Sequence, residues 1–385
     1  MLMSRVPDFY KLPIEKRIGK IKKICNLDDA DLKLLGDLGS LEGFGTGENV
    51  IGCYEKPLKI ATNFLINRVD RFIPMVTEEP SVVAAASHGA KLVRYFGGFM
   101  AYPVNEPRMI AQVQLTEIKD LEKSMERIIE NKEYILDATN KEYRKKHKHC
   151  KAVDLEVREV KTPRGKMIIN HLIIDAENSM GANASNGIAE IAAPYLEKIA
   201  NAKASLRIVS NLADKSLFRA EAKIPKTVLK KDGWPGEKVA EGILNADALA
   251  CCDIYSAATR NKGILNGACA VVEATGNDYR ALESGAHAYA SIDGYKPLGR
   301  WFEEGDYLRG KLEMPITVGV VGGSVSYPKS KLSLKILGVE SSKELGEVIV
   351  SVGLANNLAA LRELVTEGIQ RGHMEIHRET YSKSI

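Results

Sequence analysis

The sequence predicts an α+β protein, a large and mostly helical host interrupted by an inserted ferredoxin-like βαββαβ domain. Two observations lead there. Between residues 108 and 211 the hydrophobic pattern runs strand, helix, strand, strand, helix, strand, and on both sides helical spacing and Gly-rich segments resume. "RMIAQVQL" alternates as a half-buried strand does, and "KDLEKSMERIIENKEYILDATNKEYRKK" follows with helical spacing and charge pairs. "AVDLEVREV" and "KMIINHLIID" alternate around Thr162, Pro163, Arg164 and Gly165, a hairpin turn signal. "NASNGIAEIAAPYLEKIA" reads as the second helix and "ASLRIVSN" as the closing strand.

In the host, "PSVVAAASHGAKLVRYFG" predicts a helix from Pro80, since proline suits a first helical position. Further helices are expected near 237–258, 280–291 and 342–371, with a strand region in "LRGKLEMPITVGVVGG". The boundaries expected on this reading are a host of residues 1–107 and 214–374 and an insert of residues 108–213.

At 385 residues, with 45% hydrophobic and 27% charged side chains, the chain can bury a substantial core. The longest uncharged Gly-rich run, "MPITVGVVGGSVSYP", is too short to span a bilayer, and the opening "MLMSRVPDFYKLPIEK" lacks an apolar signal core. A cytoplasmic protein with no membrane partner is expected. Six cysteines form no CxxC pair, so neither a zinc site nor a disulfide framework is indicated. A net charge of +4 is too mild for a dedicated nucleic-acid binder but suits a small polyanionic ligand. The basic cluster "NKEYRKKHKHCK" is either a solvated helix end or a phosphate-contacting surface.

Four ionisable residues stand out by position. Glu79 precedes a helix that opens with Pro80; Lys262 and Asp278 lie in "ATRNKGILNGACAVVEATGNDYRA" among small and apolar neighbours; His373 follows the last helix. Each also has a plain reading, Glu79 and His373 as helix-dipole partners and the other two as solvated loop charges. No GxGxxG follows a strand and no P-loop occurs. What remains for a dinucleotide is "NSMGANASNGIAE", where Gly181 leads into a helix whose free N–H groups suit a pyrophosphate. Gly43, Gly45 and Gly47 follow no strand and suit turns.

Eight segments, "GENVIG", "EEPSVVAAAS", "SMGAN", "SNLAD", "NKGILNG", "ATGND", "VGVVGG" and "EGIQRGHM", occur in an order that resembles 3-hydroxy-3-methylglutaryl-coenzyme A (HMG-CoA) reductase in its soluble class II form. The resemblance covers nearly the whole chain. It implies a large CoA-binding domain, a ferredoxin-like NAD(P)-binding insert, and a homodimer or higher even oligomer with the active site at the subunit interface, "ENVIG" belonging to that interface. The implied reaction is the four-electron reduction of HMG-CoA to mevalonate and coenzyme A by two nicotinamide dinucleotides, in isoprenoid synthesis or in reverse in mevalonate catabolism. No metal is implied.

The resemblance also implies roles. Lys262 would stabilise the oxyanion that forms when hydride attacks the thioester carbon, and Asp278 would hold Lys262 charged as one unit with it. His373 would protonate the departing CoA thiolate, and Glu79 would supply the alcohol proton. Ser81 matches a substrate-carboxylate position and Asn211 one beside the reacting carbonyl. Met180, Gly181, Ala182, Asn183 and Gly322 match dinucleotide-contacting segments. Two departures occur: Asn178 replaces a frequent Asp, and Ser256 stands where some members carry a substrate-binding Arg, a charge that Arg260 is expected to replace. Glu142 and Arg144 lie where class II members meet the adenosine ribose. A carboxylate there accepts from the 2′-OH of NADH and repels the 2′-phosphate of NADPH, so NADH is the expected preference with NADPH usable. His373 is twelve residues from the last residue, and residues 375–385 are expected to begin a truncated or missing C-terminal flap, leaving an open site.

Two other classes compete. An acyltransferase using His373 as base would act on the same kind of thioester but needs no dinucleotide insert. A ferredoxin-like RNA-binding module would stack bases on sheet aromatics, and "LEVREV" and "MIINHLII" carry none.

Overall fold

A computed structural model describes residues 11–25, 27–33, 48–52, 54–147 and 149–368. It divides into two compact units, Met1–Pro57 and Leu58–Ile385. In the first, α1 (Ile14–Cys25) carries Glu15 in its first turn and Lys22 and Lys23 in its last, as the helix dipole favours, and is followed by α2 (Asp29–Lys33). The buried Arg17 donates from Nη1 to the carbonyl of Val50 (3.3 Å), tying α1 to the "ENVIG" segment.

The second unit opens with an antiparallel ribbon, β1 (Leu58–Ile66) and β2 (Val69–Val76), turned by Asn67 and Arg68, both at positive φ. Next come α3 (Pro80–Arg94), β3 (Met100–Pro103), β4 (Met109–Thr116), α4 (Leu121–Glu130), α5 (Lys132–Arg144), β5 (Lys151–Thr162), β6 (Gly165–Asp175), α6 (Ala182–Ala200) and β7 (Lys203–Ser210). Strands β5, β6, β4 and β7 form, in that order, a fully antiparallel sheet. Numbered within β4–β7 the order is 2-3-1-4, the ferredoxin-like arrangement. Alternation explains it: Val113, Leu115, Ile168 and Leu172 face α4–α6 and close a core with Ile128, Ile135, Ala189 and Leu196. The expected single helix before β5 is two, because Asn131 caps the end of α4 and the start of α5.

The remaining elements are β8 (Leu217–Pro225), α7 (Gly236–Cys252), α8 (Ile254–Ala274), α9 (Tyr279–Ala290), β9 (Gly299–Glu304), β10 (Tyr307–Pro315), α10 (Pro328–Leu337) and α11 (Ser342–Leu364). The host is mostly helical as expected, and β3, β8, β10 and β9 add an antiparallel sheet of which the sequence pattern marks only the β10 region. Helix α11 is apolar all round because it is enclosed by α3, α8 and β8. Among the described residues it alone is long and apolar enough to cross a membrane, and most of it is buried.

A further difference concerns α8. Residues 259–274, left without an assigned element by the sequence pattern, are helical, and Lys262, whose plain reading is a loop charge, sits inside α8.

Candidate active site

Lys262 lies on the exposed face of α8, bounded by the small residues Ala258, Thr259 and Gly263. None of the ion pairs or hydrogen bonds recorded among the described residues involves it. Its helix neighbours Arg260 and Asn261 point the other way and are buried. Asn261 donates to the carbonyl of Lys296 (2.9 Å) and accepts from Leu298 N–H (2.9 Å), fixing the rear of α8.

Asp278 is the N-cap of α9, accepting from the N–H groups of Arg280 (3.0 Å) and Ala281 (3.4 Å). Its ion pair is with Arg280 (3.0 Å), whose guanidinium holds the carboxyl below the usual carboxylate range. The expected pair with Lys262 is therefore not formed within the protomer. The reason is helix length: the twelve residues from Lys262 to Ala274 rise about 18 Å along α8 before the chain turns toward Asp278.

Glu79 caps α3, its Oε1 accepting from Ser81 N–H (3.2 Å), while its own N–H donates to Thr77 Oγ1 (3.2 Å). Pro80 at the first helical position needs no donor there. Both Glu79 and Ser81 are half-buried. Asn356 of α11 draws this turn toward α8: its Nδ2 donates to the carbonyl of Val82 (3.2 Å), and its carboxamide fills the space a side chain on Gly267 would need.

The turn expected to hold the dinucleotide has a backbone that only glycine allows. Gly181 caps α6 with φ 89°, and a Cβ there would come within 2.5 Å of Ala176 Cβ. Only glycine permits both the backbone and the packing. No side chain caps α6, so the first-turn amides at Ala182 and Asn183 are left for an anion, with Met180 half-buried beside them. Gly322 is exposed with φ 84° and no atom crowding its Cβ position. Asn178 accepts at Oδ1 from Ser342 N–H (3.1 Å) at the start of α11, which suits an amide oxygen as well as a carboxylate.

Glu142 and Arg144 are exposed near the end of α5; Glu142 pairs with Lys145, raising the affinity of that amine for its proton. Asn211 follows β7, exposed, with its carbonyl against Gly285 of α9. Ser256 lies in the first turn of α8, its N–H capped by Asp253 (2.7 Å). Arg260 corrects an expectation: its guanidinium is buried on Asp247 (2.7 Å), where burial lowers its pKa, so it offers no charge to a substrate carboxylate. His373 and residues 375–385 lie outside the described residues. Among the described residues no group of three His, Cys, Asp or Glu could hold a metal. Sequence reasoning missed Asn356, Asp247 and Asn277; the last stands inside the quoted "ATGND" segment, where an Asn beside a Gly signals a turn.

Residues 13–378 match the protein family described as hydroxymethylglutaryl-coenzyme A reductase. The 3-hydroxy-3-methylglutaryl-coenzyme A reductase of Archaeoglobus fulgidus is 46% identical, over 98% of this chain and 86% of its own. The probable reductase of Borreliella burgdorferi is 34% identical, over 87% and 77% respectively. Among solved structures, the class II reductase of Streptococcus pneumoniae bound to NADPH in open conformations superposes with a TM-score of 0.81 at 35% identity, covering 94% of this chain and 99% of that one. With sequence, family and fold agreeing over nearly its whole length, the chain belongs to the hydroxymethylglutaryl-coenzyme A reductase family.

Proposed function

We propose that the residues above perform the family's reduction of HMG-CoA to mevalonate and coenzyme A as follows. Lys262 donates to the thioester oxygen as negative charge grows there, and its small neighbours let that oxygen approach. Glu79, held by the Ser81 amide at the start of α3, supplies the proton that the second reduction puts on the alcohol oxygen. His373 protonates the departing thiolate. Ser81, Ser256 and Asn211 contact the substrate, and Asp278 of one protomer stands by Lys262 of the other as its counter-charge. The nicotinamide supplies a hydride in each step. The turn at Gly181 and the α6 amides bind and orient the dinucleotide. The observation that carries this reading is Lys262 itself, a cation that joins no ion pair among the described residues, on the open face of an otherwise well-packed helix.

The finer assignments follow from the same reading. Residues 108–213 form the dinucleotide-binding domain, supported by their own core around Val113 and Ile168, and residues 1–107 with 214–374 the substrate-binding and dimerisation host. Glu142 favours NADH over NADPH. The enzyme is a cytoplasmic homodimer whose substrate site draws on both protomers. Support for the dimer is the distance α8 keeps between Lys262 and Asp278, together with the exposed Leu249, Ile254 and Tyr255 around the same helix pair.

One assay tests the set: HMG-CoA-dependent oxidation of NADH and of NADPH, side by side, by wild type and Lys262→Ala. Wild type should be faster with NADH. The variant should lose about three orders of magnitude or more with either, at unchanged melting temperature. Activity within about tenfold of wild type would remove Lys262 from the mechanism, and faster NADPH turnover would remove the role of Glu142.

A further inference from the structure

The turn that bears Asp278 and the turn that bears Gly181 are joined through one side chain. Asn277 Nδ2 donates to the carbonyl of Gly319 (3.0 Å), and its Oδ1 accepts from Gly319 N–H (2.8 Å), so a carboxamide pairs with both polar groups of a single residue. Two opposed bonds fix direction as well as distance; one alone would leave a pivot. The clamp is anchored behind. Thr275, fully buried, bonds back to the carbonyls of Val271 and Val272 and lies 3.1 Å from Asn277 Nδ2. Gly276, at φ 72°, has its Cβ position filled by Ser324 and Ser330.

On the far side, Gly319 lies directly on the dinucleotide turn. A Cβ at Gly319 would come within 2.5 Å of Met180 N and 2.7 Å of Ser179 C. Val320 N–H donates to the carbonyl of Asn178 (2.8 Å), and Ser179 pairs with Val321 in a parallel bridge. The path from Asp278 to Gly181 is thus Asn277, Gly319, Met180, with no flexible side chain in it other than the clamped amide.

We propose that Asn277 is a positioning residue for hydride transfer, holding the dinucleotide turn in register with the Asp278 turn of the same protomer. This rests on the reading of those two turns given above. Hydride transfer needs reacting atoms about 3–3.5 Å apart, and a misplacement near 1 Å can cost about a hundredfold. A clamp between the two turns acts on that distance, not on the affinity for HMG-CoA.

The test compares wild type, Asn277→Ala, Asn277→Gln and Asn277→Asp in HMG-CoA reduction, with deuterium at the transferred position of the dinucleotide in parallel runs. Asn277→Ala should lower kcat roughly 10- to 100-fold while leaving KM for HMG-CoA within about threefold, and the isotope effect on kcat should rise as hydride transfer becomes limiting. Asn277→Gln, which keeps the amide, should recover part of kcat. Asn277→Asp should not, since its carboxylate faces the Gly319 carbonyl with no donor. A kcat for Asn277→Ala within about twofold of wild type, or a loss with unchanged isotope effect that tracks a lowered melting temperature, would make the clamp structural only and overturn the proposal. Wild type run alongside separates the two claims: if it oxidises neither dinucleotide with HMG-CoA, the reading of the site fails, and the clamp's role with it.

Discussion

Asp247 is buried to 3% exposure and still carries three bonds that organise the back of α8: Arg260 Nη2 at 2.7 Å, Arg300 Nε at 3.0 Å and Trp301 N–H at 3.0 Å. Arg260 is as enclosed as its partner, and its Nε and Nη1 have no hydrogen bond among the described residues. Removing the carboxylate would leave a buried guanidinium with no counter-charge, which is far worse than losing an exposed pair. Asp247→Ala should cost about 3–5 kcal/mol, read as a lower denaturant midpoint at unchanged slope. Adding Arg260→Met should return much of it, because an apolar side chain needs no partner there. If Asp247→Ala unfolded within about 1 kcal/mol of wild type, the pair would not be a dry one. The same burial is why Arg260 does not replace the arginine that Ser256 displaces.

At the scale of the element, α8 shows where packing overrules local preference. Glycine costs a helix about 1 kcal/mol relative to alanine, so Gly263 and Gly267 in "NKGILNG" weaken the local helical signal. In the fold Gly267 packs tightly against α11: a Cβ there would sit 2.3 Å from Asn356 Oδ1 and 3.0 Å from Val352 Cγ1. Propensity alone predicts that Gly267→Ala stabilises by up to about 1 kcal/mol, whereas overpacking a tight contact costs about 1–3 kcal/mol. The second should win, lowering the melting temperature, with Asn356→Ala partly compensating; a stabilised Gly267→Ala would mean that Asn356 swings aside freely. The β4–β7 sheet, in contrast, was legible strand by strand, because alternation and the turn before Gly165 are local signals. Glu79, Ser81 and the Gly181 turn were legible as short motifs at helix starts. Asn277, Asn356 and the burial of Arg260 were not, since each is defined by a partner at a distance in sequence that no local pattern marks. Strand β8 carries the same kind of local signal as the β4–β7 sheet, since "LFRAEAKIP" alternates over nine residues, whereas β9 has only six and a weak one.

For the whole molecule, the arrangement of Lys262 and Asp278 bears on how many chains make one site. Helix α8 is straight-run helix from Lys262 to Ala274, about 18 Å of rise, and Asp278 turns its carboxylate to Arg280 at the start of α9. One protomer therefore does not bring this cation and this anion to a single carbonyl carbon. A twofold axis can, by setting Lys262 of one protomer beside Asp278 of its partner, and the exposed Leu249, Ile254 and Tyr255 supply apolar surface for such a contact. The expectation is testable by mixing two dead proteins. In a hybrid of Lys262→Ala with Asp278→Asn, sites shared between chains place both substitutions in one site and leave the other wild type, whereas sites within a chain are each damaged once. Random re-association makes half the dimers hybrids, so co-refolding the two variants should restore about a quarter of wild-type activity. Each variant refolded alone should stay inactive. If the mixture stays inactive while tandem capture of differently tagged variants shows that hybrid dimers have formed, Lys262 and Asp278 do not serve a site shared between chains.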